Sequence, residues 1–208
     1  MILSFIGMSG AGKSFWSNRL EKEREYQKYS CDELIEKKLS PELARLGCKG
    51  VNGLSHWMGQ PYDERYALNS DRYLKLEARV LGDSLKEIEN NKNKNIVVDT
   101  TGSVIYLPPE LLRKLKQIAR IIYLEVPESA IEKMSRLYLT DPKPVIWGNL
   151  YKPFPGEDKT EALKRCYPAL LKYRIGLYQK LADIDIKVDH SHTERGLTLE
   201  GLLSIAAH

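Results

Sequence analysis

Cysteine is scarce in this chain: Cys31, Cys48 and Cys166 are an odd number, and none lies in a C-x-x-C spacing. That argues against a disulfide framework or a zinc site and favours a reducing compartment. Long apolar runs are missing as well. No segment approaches the 18 residues of a membrane span, and the run before Gly7 is only five residues, too short for the core of a signal peptide. The expectation is a cytoplasmic protein with no membrane partner. Charge of a single sign is also lacking, since 32 basic and 28 acidic residues are interspersed and leave +4 with no polybasic tail. Such mild basicity suits a small anionic molecule as well as nucleic acid and decides neither, although so even a mixture does not support a basic groove for a nucleic-acid 5′-kinase. There is no internal repeat, and low complexity is confined to NNKNKN at 90–95. At 208 residues the expectation is one domain.

What is present begins at once. Residues 2–6, ILSFI, read as a short buried strand, and GMSGAGKS follows at 7–14. Every fixed position of the phosphate-cradling pattern G-x-x-x-x-G-K-[ST] is filled, in the strand–loop–helix setting that the pattern requires. Backbone N–H groups can wrap a phosphate only where side chains do not crowd the turn, which Gly7, Gly10 and Gly12 secure, with Met8, Ser9 and Ala11 between them. Lys13 would reach the β- and γ-phosphates, Ser14 would offer a hydroxyl to Mg²⁺, and the following helix adds the positive end of its dipole. ATP with Mg²⁺ is the cofactor expected here. The alternative is a glycine-rich turn that holds no ligand.

Apolar runs then alternate with helical patterns. Strands are expected at 2–6, 26–30, 95–99, 120–124 and 185–188, and helices at about 13–23, 32–46, 70–90, 108–118, 127–139, 160–182 and 197–206. Pro108, Pro109 and Pro127 suit first turns of helices. Such alternation means an α/β fold with parallel strands and right-handed crossovers. Residues 47–69 and 140–159 show no clear period and read as long loops, which inside a compact domain are usually functional lids or disordered segments. Trp57, Met58, Trp147, Tyr151 and Phe154 are costly to leave in water, so these loops either close on something or plug the scaffold.

Chemistry needs a carboxylate at the strand ends, where open parallel sheets bind ligands. Asp32 follows the second strand in SCDELIE, and Asp99 ends the third in NIVVDTTG. Asp99 suits an acid that orients Mg²⁺, and Asp32 is placed to take a proton from an acceptor hydroxyl. The alternatives are that Asp32 caps its helix and Asp99 merely ends a strand. Arg136 and Lys143 flank and enter the second loop, from which they would swing over the phosphates on closure.

Taken together, the cradle at residue 7, SCDELIE with Asp32, YLKLEARVL with Glu77, Arg136 followed by Lys143-Pro144, and KYRIGLYQKLADIDIKVD with Arg174 resemble the shikimate kinase-like branch of P-loop small-molecule kinases. The resemblance is more distant to nucleoside monophosphate kinases. It implies a three-layer fold with a five-stranded parallel sheet in the order 2-3-1-4-5 flanked by helices. It also implies that Asp32 positions the acceptor hydroxyl, that Glu77 and Arg174 belong to the acceptor side, that 47–69 is an acceptor-side insertion and 140–159 a lid, and that adenine rests against 189–194, where His190 and His192 line the loop. Four positions depart from the pattern. Ser30 stands where an aspartate is usual, Leu74 where an arginine is, and Lys143 where the lid has arginine. Asp99-Thr100-Thr101-Gly102-Ser103 replaces a three-glycine motif, which leaves Thr101 and Gly102 facing the acceptor.

The expectation is therefore ATP-dependent transfer to a hydroxyl of a small, anionic metabolite other than shikimate, whose anionic group Arg174, with Arg72 or Arg65, would hold in charge-assisted pairs. Rival readings are a nucleoside monophosphate kinase, a nucleic-acid 5′-kinase, and a nucleotide-responsive module in which 47–69 is a docking surface. Monomer and homodimer stay open.

Overall fold

The computed structural model describes residues 1–91, 94–188 and 197–207. The region expected to hold adenine, 189–194 with His190 and His192, lies outside them. Five strands form one sheet: β1 (Ile2–Ile6), β2 (Gln27–Ser30), β3 (Ile96–Asp99), β4 (Arg120–Glu125) and β5 (Ile184–Lys187). All neighbours are parallel and the order is β2-β3-β1-β4-β5, as expected. Leu3, Phe5 and Ile6 of β1, Ile96–Val98 of β3 and Ile121–Leu124 of β4 are solvent-free. Continuous apolar runs are what a parallel sheet covered on both faces demands. Burying each large side chain favours folding by about 1.5–3 kcal/mol relative to exposure.

The helices among the described residues are α1 (Lys13–Arg24), α2 (Cys31–Arg45), α3 (Gly50–Met58), α4 (Tyr66–Glu89), α5 (Pro109–Ile118), α6 (Ala130–Thr140), α7 (Lys159–Leu181) and α8 (Leu199–Ala207), with a 3₁₀ turn at Val104–Tyr106. None is long and apolar enough to cross a membrane. Helix α1 packs on β1, β2 and β3, α5 and α7 pack on β4, and α2, α3 and α4 pack on one another.

The first long stretch is not a loop. Within 47–69 the chain forms α3, and α4 starts at Tyr66 rather than at 70. Gly50 and Gly53 lower the intrinsic helix propensity of α3. Its Leu54, Trp57 and Met58 nevertheless recur at i, i+3 and i+4 and are all buried, so tertiary packing outweighs propensity. Helix α6 starts three residues later than the prolines suggest: Pro127 precedes it, and its carbonyl accepts from the Ala130 amide at 2.8 Å. No helix or strand interrupts 141–158, as expected of the second stretch.

Aromatics of the two stretches meet each other. Tyr62 lies 6.2 Å from Tyr151 between ring centroids, and Tyr151 sits edge-on to the buried Trp147. Tyr138 stacks on Tyr167 at 4.3 Å and donates to Gln60 Oε1 at 2.7 Å. The Tyr66 hydroxyl accepts from the Trp147 amide at 2.7 Å and donates to the Val145 carbonyl at 3.0 Å, which ties the second stretch to α4. Phe154 alone of the expected plugs stays exposed, with the Arg165 guanidinium over its ring.

Candidate active site

The turn from β1 into α1 is shaped by its glycines. Gly7 has φ +142°, and a Cβ there would come within 2.9 Å of the Leu124 carbonyl, so any larger residue would push β1 and β4 apart. Gly12, at φ 91°, precedes α1, and no side chain caps the first turn. The leading amides of α1 are thus left for a ligand, in the place where helix dipole and N–H groups together favour an anion. Lys13 is buried, and its Nζ donates to the carbonyls of Gly7 and Met8 at 3.0 Å each. Burial lowers its pKa, while Asp32 and Asp99 oppose that shift.

The turn opens on a cavity of about 300 Å³. Its walls include Met8, Ser9, Gly10, Gly12, Lys13 and Ser14 at one end, and Asp32, Tyr73, Gly102, Ser103 and Arg174 at the other, with Lys143, Pro144 and Val145 along the side. Asp32 does not cap its helix. That role falls to Ser30, whose Oγ accepts from the Glu33 amide at 3.4 Å, so α2 begins at Cys31 and the Asp32 carboxylate is left for the cavity. The Tyr73 hydroxyl donates to Asp32 Oδ1 at 3.4 Å. Burial raises Asp32 to about 6, with Lys13 and Tyr73 pulling the other way and Asp99 adding to the rise.

Asp99 closes β3 between Phe5 of β1 and Ser30 of β2. It is buried and is not on the cavity wall. Burial raises its pKa, and a hydrogen bond from the Ser14 side chain and the nearby Lys13 oppose the rise. Its Oδ1 has no hydrogen-bond partner among the described residues. An orphaned carboxylate oxygen beside a hydroxyl is a hard-oxygen donor set, which fits Mg²⁺.

Glu77 and Thr101 are joined to each other and lie off the wall. The Thr101 hydroxyl donates to Glu77 Oε1, and the Ser103 hydroxyl donates to Oε2 at 2.5 Å. Burial lifts Glu77 to about 7 against the pull of both hydroxyls. Gly102 turns its carbonyl to Arg174 Nη2 and to the Tyr178 hydroxyl. Arg174 itself is buried with its Nε unpartnered, and no carboxylate forms an ion pair with it among the described residues.

Three of the expected cations stand elsewhere. Arg136 is on an outward face of α6, 77% exposed and paired with Glu132 one turn back; the α6 residue that reaches the cavity is Met134. Arg72 pairs with Glu42 at 2.7 Å and lies over the Trp57 ring, bracketing α2, α3 and α4, and Arg65 lines a separate pocket beside Asp63. Lys143 does reach the wall, held by Asn52 Oδ1 at 2.8 Å and Asp141 Oδ2 at 2.6 Å.

A scan against protein-family models gives no match, and a search of curated proteins gives none. Among solved structures, the chain is similar to a shikimate kinase from Acinetobacter baumannii in complex with shikimate, at 20% identity and a TM-score of 0.58, over 98% of this chain and 88% of that one. A shikimate kinase from Aquifex aeolicus is similar at 20% identity and TM-score 0.54, over 98% and 94%. One from Bacteroides thetaiotaomicron gives 14% and 0.56, over 90% and 85%. The chain has the P-loop kinase fold. In that fold the cavity lies at the carboxyl ends of β1, β2 and β3, the place where an open parallel sheet receives its ligands.

Tyr73 and Ser103 join the site without having been singled out in the sequence. A signal for Tyr73 exists: Tyr66, Asn69, Tyr73 and Glu77 are polar, buried and spaced by three or four residues on one face of α4. The next turns of that face are Val80, Leu81, Leu85 and Ile88 with Ser84 as their one polar member, so the face turns mainly apolar beyond Glu77. Ser103 sits two residues beyond Thr101, and only the turn of the chain there shows that both hydroxyls meet one carboxylate.

Proposed function

We propose that the chain transfers the γ-phosphoryl group of ATP to a hydroxyl of a small, anionic metabolite. The observation that carries this reading is a single cavity that has a phosphate cradle at one end and, at the other, a carboxylate and a buried arginine with no carboxylate of its own. A phosphate acceptor would need no proton acceptor; a hydroxyl acceptor does.

The residues divide the work as follows. Amides of 7–14 and the Lys13 ammonium hold the β- and γ-phosphates and offset the charge that gathers on the transferring group. Asp32, at about 6, is mostly ionised at neutral pH and sits across the cavity from the cradle. It orients the acceptor hydroxyl and takes its proton as that oxygen bonds to the γ-phosphorus and the bond to the bridging oxygen of ADP breaks. Arg174 receives the acceptor's anionic group as a charge-assisted pair, with its remaining N–H groups already aligned by the Gly102 carbonyl. Lys143 stands on the side wall as a second cation for the phosphates. Ser14 and Asp99 would hold Mg²⁺, which when bound supplies neutralising charge to the phosphate oxygens.

The test is steady-state turnover with ATP and Mg²⁺ over sugars, polyols, nucleosides, nucleoside monophosphates and hydroxy acids, in the wild type and in Asp32→Asn. The expected result is acceptor-dependent ADP release with a hydroxyl compound, lowered about 10²- to 10⁴-fold by the substitution. Transfer to a monophosphate that survives Asp32→Asn would overturn the reading, as would ATP hydrolysis indifferent to every acceptor.

A further inference from the structure

We infer that Ser103 is a specificity-determining residue: it offers the cavity oxygen lone pairs and no proton. The molecule phosphorylated here therefore carries a second hydrogen-bond donor for Ser103, besides the hydroxyl that meets Asp32. This rests on the phosphoryl-transfer reading and narrows its acceptor.

The inference follows from counting protons. A serine or threonine hydroxyl has one proton to give and lone pairs to receive others. Thr101 Oγ1 is bonded to Glu77 Oε1, Ser103 Oγ lies 2.5 Å from Glu77 Oε2, and the two hydroxyl oxygens are 2.9 Å apart. The Ser103 amide donates to Thr101 Oγ1 at 3.0 Å and locks the turn. When Glu77 is ionised, both hydroxyl protons lie on its carboxylate. When Glu77 is protonated, three protons serve three contacts and close a ring: Glu77 gives to Thr101, Thr101 to Ser103, and Ser103 to the other carboxylate oxygen. In both states the Ser103 proton points inward. Asp32 from α2, Arg174 and Tyr178 from α7, Lys13 from α1, and Tyr73 and Cys31 face this cluster and bias the charge of Glu77. None of them changes that outcome.

Thr101 and Glu77 do not line the cavity, whereas Ser103 does, as do Asp32 and Arg174. The acceptor end thus presents two groups that take protons, Asp32 and Ser103, and one cation, Arg174. A site built to hydrogen-bond a substrate O–H rejects the analogue that lacks it, because the protein group is left without a partner.

The experiment compares 3,4-dihydroxybenzoate with 3-fluoro-4-hydroxybenzoate, binding each by calorimetry in the presence of ADP and Mg²⁺. The two share the carboxylate and one hydroxyl, and fluorine replaces the second donor at similar size. The wild type is expected to bind the dihydroxy compound about tenfold more tightly. Ser103→Ala and the nearly isosteric Ser103→Cys, each checked by thermal melting, should bring the two affinities within about twofold. A tenfold preference that persists in both variants, no preference in the wild type, or no binding of either compound would overturn the assignment. If the preference depends on Ser103 while Asp32→Asn leaves turnover intact, the proton-acceptor role of Asp32 fails and the assignment of Ser103 stands.

Discussion

The end of the cavity proposed to hold phosphate comes from consecutive residues within 7–14, whereas the end proposed to hold the acceptor is assembled from Asp32 on α2, Tyr73 on α4, Gly102 and Ser103 after β3, and Arg174 on α7. One end is a backbone device, made by amides and by φ values that only glycine adopts with ease. The other is a side-chain device, and each member is held by a partner outside the chemistry: Ser30 takes over the cap of α2, Gly102 aligns Arg174, and Glu77 gathers the hydroxyls of Thr101 and Ser103. A backbone cradle tolerates any acceptor chemistry. On the proposed reading the side-chain end decides which molecule is accepted, and it can change without disturbing the cradle.

Substitutions can set the two ends apart. The largest effect is expected from Lys13→Met, which should lower turnover about 10³-fold for every acceptor, as measured by ADP release. Arg174→Lys keeps a charge but loses the planar fork, so KM for the acceptor should rise roughly 10- to 100-fold while the Kd for ATP stays put in calorimetry. If ATP affinity fell with it, the two ends would not be separable.

The third prediction concerns pH. On the proposed reading Asp32 acts in its ionised form, so turnover should fall about tenfold per pH unit below about 6 and level off above it. Its folded pKa is raised from 3.8, so the stability it contributes is present below about 3.8 and lost as pH rises through about 6. Asp32→Asn should therefore melt higher than the wild type at pH 8, by roughly 2–4 °C, and lose that advantage by pH 4. The smallest effect is expected from Arg136→Ala, which should leave turnover within about twofold, because an exposed pair within one helix contributes little. A loss of tenfold or more would mean that α6 swings inward during the reaction.

The same contrast decides what the sequence showed. A cradle of eight adjacent letters, and strands that are apolar throughout because both faces are covered, are written locally, and the order β2-β3-β1-β4-β5 agrees with them. Helix α3 is written less plainly, since Gly50 and Gly53 speak against a helix while Leu54, Trp57 and Met58 carry its spacing. Arg136 and Lys143 look alike as cations near a lid. Only the rotation of α6, which turns Met134 inward and Arg136 outward, and the hold of Asn52 and Asp141 on Lys143, tell them apart. The partnership of Glu77 with Thr101 and Ser103 spans more than twenty residues and needs the fold to appear.

The most direct measurement is crystallography of the chain with Mg²⁺ and an ATP analogue that cannot be hydrolysed. The account predicts the terminal phosphate between the 7–14 amides and Lys13, with the Asp32 carboxylate facing it across open space that a hydroxyl can enter. An analogue seated away from that turn, or Asp32 turned from the cavity while it is bound, would contradict it.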